Sequence, residues 1–269
     1  MNGIVININP IIAQIGSFEL GWHGVAIAVA VVAAVIIGAW RAKKKGISPD
    51  EIYYMAPWVL LGGIVGARLF HVVDDFSYYV ANPLQIIQIQ LGGLAIWGGL
   101  FGGAAAGAIF ARARHISLPR LVDALVPALL VAQIIGRFGC AINGDAYGGV
   151  AHLPWAFIYT NPNASIPANL LGVPTHPYPV YEIIWNAISL AVVLRLERYF
   201  KRDGLLFLSY LSLYSVGRFV LTFVRQEKVW LWGLQEAQII SVAVLAVSLA
   251  LFSYLWKRSR NKVAPQPVA

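Results

Sequence analysis

Residues 22–40 read WHGVAIAVAVVAAVIIGAW, and residues 41–45 read RAKKK. The first stretch holds nineteen residues without one Asp, Glu, Lys or Arg, and it is bounded by Trp22 and Trp40. The second puts Arg41, Lys43, Lys44 and Lys45 directly behind it. About 20 apolar helical residues cross the hydrocarbon core of a bilayer, tryptophan prefers the interface at its edge, and cations collect on the cytoplasmic side. The stretch therefore reads as a membrane span that runs from outside to inside.

The rest of the chain repeats this pattern. Further apolar stretches lie at Ile52–Val72, Leu94–Ala111, Leu121–Arg137, Val180–Leu194, Leu205–Val224 and Ala237–Trp256, seven spans in all. The fifth is short and carries Glu182 and Asn186, which makes it the weakest of the seven. Composition agrees: of 269 residues 59% are hydrophobic and 12% charged, with a mean hydropathy of +0.69. A soluble domain carries about 25% charged residues. Half that density excludes a free-standing soluble enzyme and a disordered chain. A single cysteine, Cys140, permits no internal disulfide.

Fifteen of the twenty Lys and Arg follow the first, third, fifth and seventh spans, whereas loops 73–93 and 139–178 contain none. The predicted architecture is an all-α integral membrane protein of seven transmembrane helices, N-terminus outside and C-terminus cytoplasmic. Residues 1–269 form one polytopic domain, with 139–178 as a small extracytoplasmic loop cap. The first twenty residues lack a basic n-region, so no cleaved signal peptide is expected. The net charge of +8 reflects topology and anionic-lipid contact, and nucleic acid is not an expected partner.

Two segments carry local expectations. Asn82 caps a helix from Pro83 to Leu91 whose Leu84, Ile87 and Leu91 share one face. Such a helix is too short to span and lies in the outer interface; the alternative is a loop packed on the core. In the third span Gly98, Gly99, Gly102, Gly103 and Gly107 form small-xxx-small pairs that let a neighbouring helix approach closely.

Five cations break the charge rule: Arg68, Arg137, Arg218, Arg225 and Lys228. All map to the outer half of the membrane or just beyond it. A charge within a span costs at least about 2.5–3.5 kcal/mol, so it faces a cavity or a partner. Several arginines at one depth point to a shared anion. Arginine suits phosphate because its planar fork donates paired hydrogen bonds and keeps its charge, and a phosphate at that depth belongs to a lipid headgroup. The competing explanation is pairing with Asp74, Asp75, Asp145, Glu182 and Glu227.

Arg137 opens the segment Gly136-Arg137-Phe138-Gly139-Cys140-Ala141-Ile142-Asn143-Gly144-Asp145-Ala146-Tyr147-Gly148-Gly149. Its glycines are expected to break the helix at the outer face and to let backbone approach a ligand. His176-Pro177-Tyr178-Pro179-Val180-Tyr181-Glu182 then re-enters the membrane. His23, His71, His152 and His176 all fall on the outer side. Lone histidines are usually structural, but His23 and His176 each sit at the mouth of a span. No close ligand pair such as H-x-x-x-H occurs, so neither a metal nor another cofactor is expected.

The ordered set of these blocks resembles the prolipoprotein diacylglyceryl transferases. The likeness runs through Trp22-His23-Gly24, Gly66-Ala67-Arg68-Leu69, Gly92 to Leu100, Gly136 to Gly148 and His176-Pro177 with Tyr181-Glu182. It continues through Gly217-Arg218-Phe219, Phe223-Val224-Arg225-Gln226 and Gln238-Ile239-Ile240-Ser241. The resemblance implies transfer of a diacylglyceryl group from phosphatidylglycerol to the lipobox cysteine of a prolipoprotein signal peptide, on the outer side of a bacterial inner membrane. It places the family's two key arginines on Arg137 and Arg218.

The chain also departs from the family pattern. Trp97 stands where the family often has a histidine, His23 where a tyrosine is frequent, Cys140 for asparagine, Asp145 for glutamate and Thr222 for glutamate. What the resemblance implies for the site is a phosphate clamp of Arg137 and Arg218, with Arg68, Asn143, Asp145, Gly148 and Arg225 also binding phosphatidylglycerol. His23, then His176, are the candidate bases. The thiolate is the nucleophile, and clustered arginines favour it. Cys140 is read as packing, because the reaction needs only the substrate's thiol. Two other readings stay open: a transporter or flippase of an anionic lipid, and a family relative with a changed acceptor.

Overall fold

The computed structural model describes residues 3–16, 18–89, 92–225, 229–231 and 233–261. In chain order the elements are β1 (Ile4–Ile6), β2 (Ile11–Ile15), β3 (Phe18–Gly21), α1 (Trp22–Lys44), α2 (Pro49–Asp74), α3 (Phe76–Ala81), α4 (Ile96–Ala113) and α5 (Leu118–Asn143). Then follow β4 (Phe157–Tyr159), β5 (Pro174–Thr175), α6 (Tyr178–Leu196), α7 (Leu205–Thr222), β6 (Val229–Leu231), β7 (Leu234–Gln235) and α8 (Glu236–Asn261). Seven of these helices, α1, α2 and α4 to α8, are long and apolar enough to cross a membrane, one for each predicted span. Large apolar side chains such as Val32, Trp58, Ile109 and Val247 point outward and are more than half exposed. Only a lipid solvent makes such a surface stable. The protein is an all-α integral membrane protein.

Contacts divide the chain into two compact units, Gly38–Ala124 and Met1–Ile37 with Leu125–Ala269. In the first, α2 packs along α4 through facing glycines. A Cβ built on Gly62 would lie 2.8 Å from the Gly102 carbonyl oxygen, and one on Gly66 2.9 Å from the Gly102 Cα. The small residues predicted to form a contact face in the third span thus meet a matching glycine row in the second.

Arg68, buried on α2, closes the loop that follows. Its Nε donates to the Ile86 carbonyl (2.9 Å), and Nη1 donates to the Gly92 (2.7 Å) and Gly93 (2.8 Å) carbonyls. Nη2 donates to the carbonyls of Gln85 and Gln88. These carbonyls turn toward the guanidinium instead of continuing a helical ladder. The outer helix expected over Asn82–Leu91 is therefore only a 3₁₀ turn, Pro83–Ile87. Asn82 does not cap it; its Nδ2 donates back to the Tyr78 carbonyl (3.1 Å) at the end of α3. Leu84 and Ile87 are strongly exposed, and Leu91 lies outside the described residues.

In the second unit, Val126 and Leu130 of α5, Val193 of α6 and Leu206 and Tyr210 of α7 form a buried cluster. The α7 helix also packs on α8, where the Ser212 and Ser248 hydroxyls share a 2.9 Å hydrogen bond. The expected cap over 139–178 contains a small sheet in the order β1-β4-β5, in which the N-terminal strand lies parallel to β4. Tyr159, Ile166 and Leu170 fill its core. The Tyr159 hydroxyl donates to the Ala141 carbonyl on α5 (2.8 Å), and burial raises its phenol pKa.

The helix break expected from the glycines of segment 136–149 falls at Gly144 and not at Gly136 or Gly139. The α5 helix continues to Asn143 and ends at Gly144, whose φ is +80° and whose N–H donates to the Cys140 carbonyl (2.9 Å). This is a left-handed C-terminal cap, which glycine adopts without strain. Gly139 is a packing residue instead. A Cβ there would lie 2.7 Å from the Ala26 Cβ and 3.1 Å from the His23 Cα, so its absence lets α5 cross the first turn of α1 closely.

Candidate active site

The extra turn and a half of α5 brings Arg137 and Cys140 to the beginning of α1 and α6. Glu182 enters from the first turns of α6 and is buried. Arg137 grips it with two prongs: Nε lies 2.7 Å from Oε2, and Nη2 donates to Oε1 (2.9 Å). Arg218 on α7 lies 3.7 Å from the same Oε1 through Nη1, and that nitrogen also donates to the Tyr178 hydroxyl (2.8 Å). The Arg225 guanidinium sits 5.2 Å from the centre of the Tyr178 ring, a cation–π distance. Three guanidinium groups thus gather round one carboxylate and one phenol. The glutamate that weakened the fifth span in sequence is the hub of the cluster; its place in the Tyr181-Glu182 block of the resemblance is the one signal that marks it.

The helices converge because small residues and amides hold them. Gly217 leaves room for the Trp185 indole, whose Nε1 donates to the Leu213 carbonyl (3.0 Å), and so α6 lies close to α7 beside Arg218. Gln235 Nε2 donates to the Thr222 (3.2 Å) and Arg225 (3.0 Å) carbonyls, which fixes the end of α7. Thr222, in a position where the resemblance led to a glutamate, donates its hydroxyl to the Arg218 carbonyl (2.5 Å).

A second group adjoins the arginines. Arg137 Nη1 lies 3.8 Å from Cys140 Sγ, which lies 3.8 Å from His23 Nδ1. That nitrogen is also 4.0 Å from Asp145 Oδ2. His23, Cys140 and Asp145 are three of the positions at which the chain departs from the family pattern, and the fold brings all three together. Their donor atoms lie within 4.8 Å of one another, a grouping able to hold a metal ion.

The other predicted site residues have these places. His176 Nδ1 meets the Tyr181 hydroxyl at 3.2 Å, and its backbone carbonyl accepts from the Gly148 N–H (3.1 Å). Gly148 admits no side chain: a Cβ would lie 2.6 Å from the His176 Cβ and 2.8 Å from the Val224 carbonyl oxygen. Asn143 is half-buried, and its backbone carbonyl accepts from the Ser165 N–H (2.8 Å). Trp97 stacks on Phe101 within Gly38–Ala124. Lys228 and Glu227 lie outside the described residues.

Comparison with known proteins gives the family. The family model described as prolipoprotein diacylglyceryl transferase matches residues 10–254. A phosphatidylglycerol–prolipoprotein diacylglyceryl transferase of Dehalococcoides mccartyi is 37% identical over 95% of this chain and 97% of its own length. The proteins of the same name from Clostridioides difficile (33% identical, 92% of this chain and 96% of the relative) and Lysinibacillus sphaericus (34% identical, 98% and 97%) are similarly matched. The chain belongs to the prolipoprotein diacylglyceryl transferase family.

Proposed function

We propose that the chain transfers the diacylglyceryl group of phosphatidylglycerol to the lipobox cysteine of a prolipoprotein signal peptide. The seven apolar helices and the bacterial relatives make it a multi-pass bacterial membrane protein. The distribution of Lys and Arg supports an inner-membrane orientation with the N-terminus outside, the C-terminus in the cytoplasm and the arginine cluster on the extracytoplasmic side.

The observation that carries the mechanism is the gathering of Arg137, Arg218 and Arg225 round Glu182 and Tyr178. In the reaction the substrate sulfur attacks the glycerol carbon that bears the phosphate. A C–S bond forms, the C–O bond breaks, and the electron pair leaves on glycerol phosphate. The phosphodiester begins with one negative charge, and the departing monoester gains a second. A preformed cluster of guanidinium groups binds that developing charge more strongly than the starting lipid, and this difference is what lowers a barrier.

Arg137 and Arg218 form the clamp on the phosphate, and Arg225 supports it. Glu182 holds the Arg137 fork in place until the lipid arrives. His23 receives the substrate thiol's proton, because it adjoins the cluster through Cys140 and is partly exposed. His176 is turned to Tyr181 and positions the Gly148 backbone. Asn143 and Asp145 border the headgroup. Arg68 shapes the Gln85–Gly93 loop rather than touching phosphate, since its five N–H donors all go to backbone carbonyls.

The test is a transfer assay with purified protein, phosphatidylglycerol and a lipobox peptide, read by mass spectrometry. The peptide gains one diacylglyceryl group and glycerol phosphate is released. Wild-type rates from Arg137→Ala would remove the clamp.

A further inference from the structure

We propose that His23, Cys140 and Asp145 form a binding site for a thiophilic divalent cation of the zinc class. No H-x-x-x-H pair announces it, because the donors come from three places: the first turn of α1, the last turn of α5 and the residue after the Gly144 cap. The geometry differs from that of a nucleophile triad. There the imidazole gives one nitrogen to the sulfur and the other to the carboxylate. Here sulfur and carboxylate both face Nδ1, at 3.8 and 4.0 Å. Nitrogen, sulfur and oxygen therefore converge on one small volume.

The spacing suits a tetrahedral ion. Zinc bonds of about 2.3 Å to sulfur and about 2.0–2.1 Å to nitrogen and oxygen put S and N about 3.6 Å apart, and N and O about 3.4 Å. The sulfur stands about 0.2 Å and the carboxylate oxygen about 0.6 Å beyond these separations from Nδ1, and all three donors lie within 4.8 Å of one another, a spread that side-chain rotation closes. The frame beneath is firm, since Gly139 seats α5 against the His23 backbone and Gly144 sets the bend that presents Asp145. A mixed N, S, O set selects zinc-class ions over magnesium or calcium, which take oxygen ligands.

Cys140 is buried, whereas the side chains of His23 and Asp145 are 35% and 36% exposed. An ion thus enters past His23 and Asp145, and a fourth position is left for water. On binding, the Cys140 S–H proton passes to water and the sulfur–metal bond forms with the thiolate. Arg137, 3.8 Å from the sulfur, repels the cation but stabilises the thiolate, and its Nε and Nη2 stay on Glu182. Occupancy takes the imidazole out of acid–base work, which makes the site an inhibitory switch; that consequence rests on the role proposed for His23.

The experiment titrates tag-free, full-length protein in nanodiscs with Cd²⁺ and with Co²⁺ and follows the sulfur-to-metal charge-transfer absorption. Cys140 is the only cysteine in the chain, so any such band reports this thiolate. The expected result is a band that saturates at one equivalent and is absent from Cys140→Ser. His23→Gln and Asp145→Asn each weaken binding by at least about tenfold, since even outer partners of metal ligands are worth 10–100-fold. These two variants alter partly exposed side chains and keep the test decisive should Cys140→Ser not fold. A missing band, or an affinity that neither variant changes, overturns the site. Transfer is measured on the same samples. Saturation of the band with no loss of transfer leaves the metal site standing and removes His23 as the base.

Discussion

Replacing Glu182 with Gln removes a carboxylate that Arg137 and Arg218 share, and leaves the side chain's shape nearly unchanged. The Glu182 side chain is 10% exposed, lies 2.7 Å from Arg137 Nε as an ion pair and accepts from Arg137 Nη2 at 2.9 Å. Breaking a buried ion pair by removing one partner costs about 3–5 kcal/mol. Arg137 is 28% exposed and keeps some hydration, so the lower end, about 3 kcal/mol, is expected. The assay is reversible unfolding by SDS in zwitterionic mixed micelles, where no anionic lipid replaces the lost charge. In a double-mutant cycle, Arg137→Gln with Glu182→Gln loses less than the sum of the single variants, with a coupling of about 2 kcal/mol. Adding phosphatidylglycerol shrinks the Glu182→Gln deficit, because a ligand of the folded state stabilises it by about 1.4 kcal/mol for each tenfold rise above its Kd. A Glu182→Gln loss below about 1 kcal/mol, the ceiling for exposed pairs, would refute the hub. A phosphatidylglycerol effect no larger for the variant than for the wild type would refute the exchange of carboxylate for phosphate.

Other outcomes follow from the same contacts. Arg137→Lys keeps the charge but loses the two-pronged grip; transfer falls by about 10²-fold or more, measured as peptide lipidated per minute with lipid binding tracked alongside. Gly102→Ala drives a methyl into the Gly62 backbone and costs about 1–3 kcal/mol, read by SDS unfolding; an unchanged midpoint would show that α2 and α4 are not locked by their glycines. Tyr159→Phe loses a buried hydrogen bond to Ala141 worth about 1 kcal/mol. The Tyr159 pKa is raised in the folded state, so the unfolded chain ionises first and stability falls as pH climbs past about 10; Tyr159→Phe flattens that alkaline limb in unfolding curves recorded at increasing pH. Arg68→Lys leaves most of the carbonyls of Gln85–Gly93 without their donor, and hydrogen exchange in that segment quickens while the α2–α4 contact stays protected.

What was legible in sequence followed from composition and position along one helix. Apolar runs of sufficient length give spans regardless of partners, and so α1, α2 and α4 to α8 coincide with the stretches read from the chain. The α4 glycines declared a packing face, but their partner row on α2 emerged only from the contact. Local signals misled where a distant group outbid them. Gly136 and Gly139 stay helical, and Gly139 serves instead as a packing contact with α1. The segment after Asn82 is only a 3₁₀ turn because a guanidinium from α2 collects its carbonyls.

The sequence by itself determined the membrane class, the seven spans and the presence of arginines too costly to sit in lipid without a partner. These depend on the solvation of each residue in turn. Only the tertiary structure decided which charges meet. Arg137, Glu182, Arg218 and Tyr178 lie on three helices, and His23 is 117 residues from Cys140. Electrostatic and coordinating contacts act over a few ångströms, so they exist only once the glycine-mediated crossings of α1, α5, α6 and α7 have brought the helix ends together.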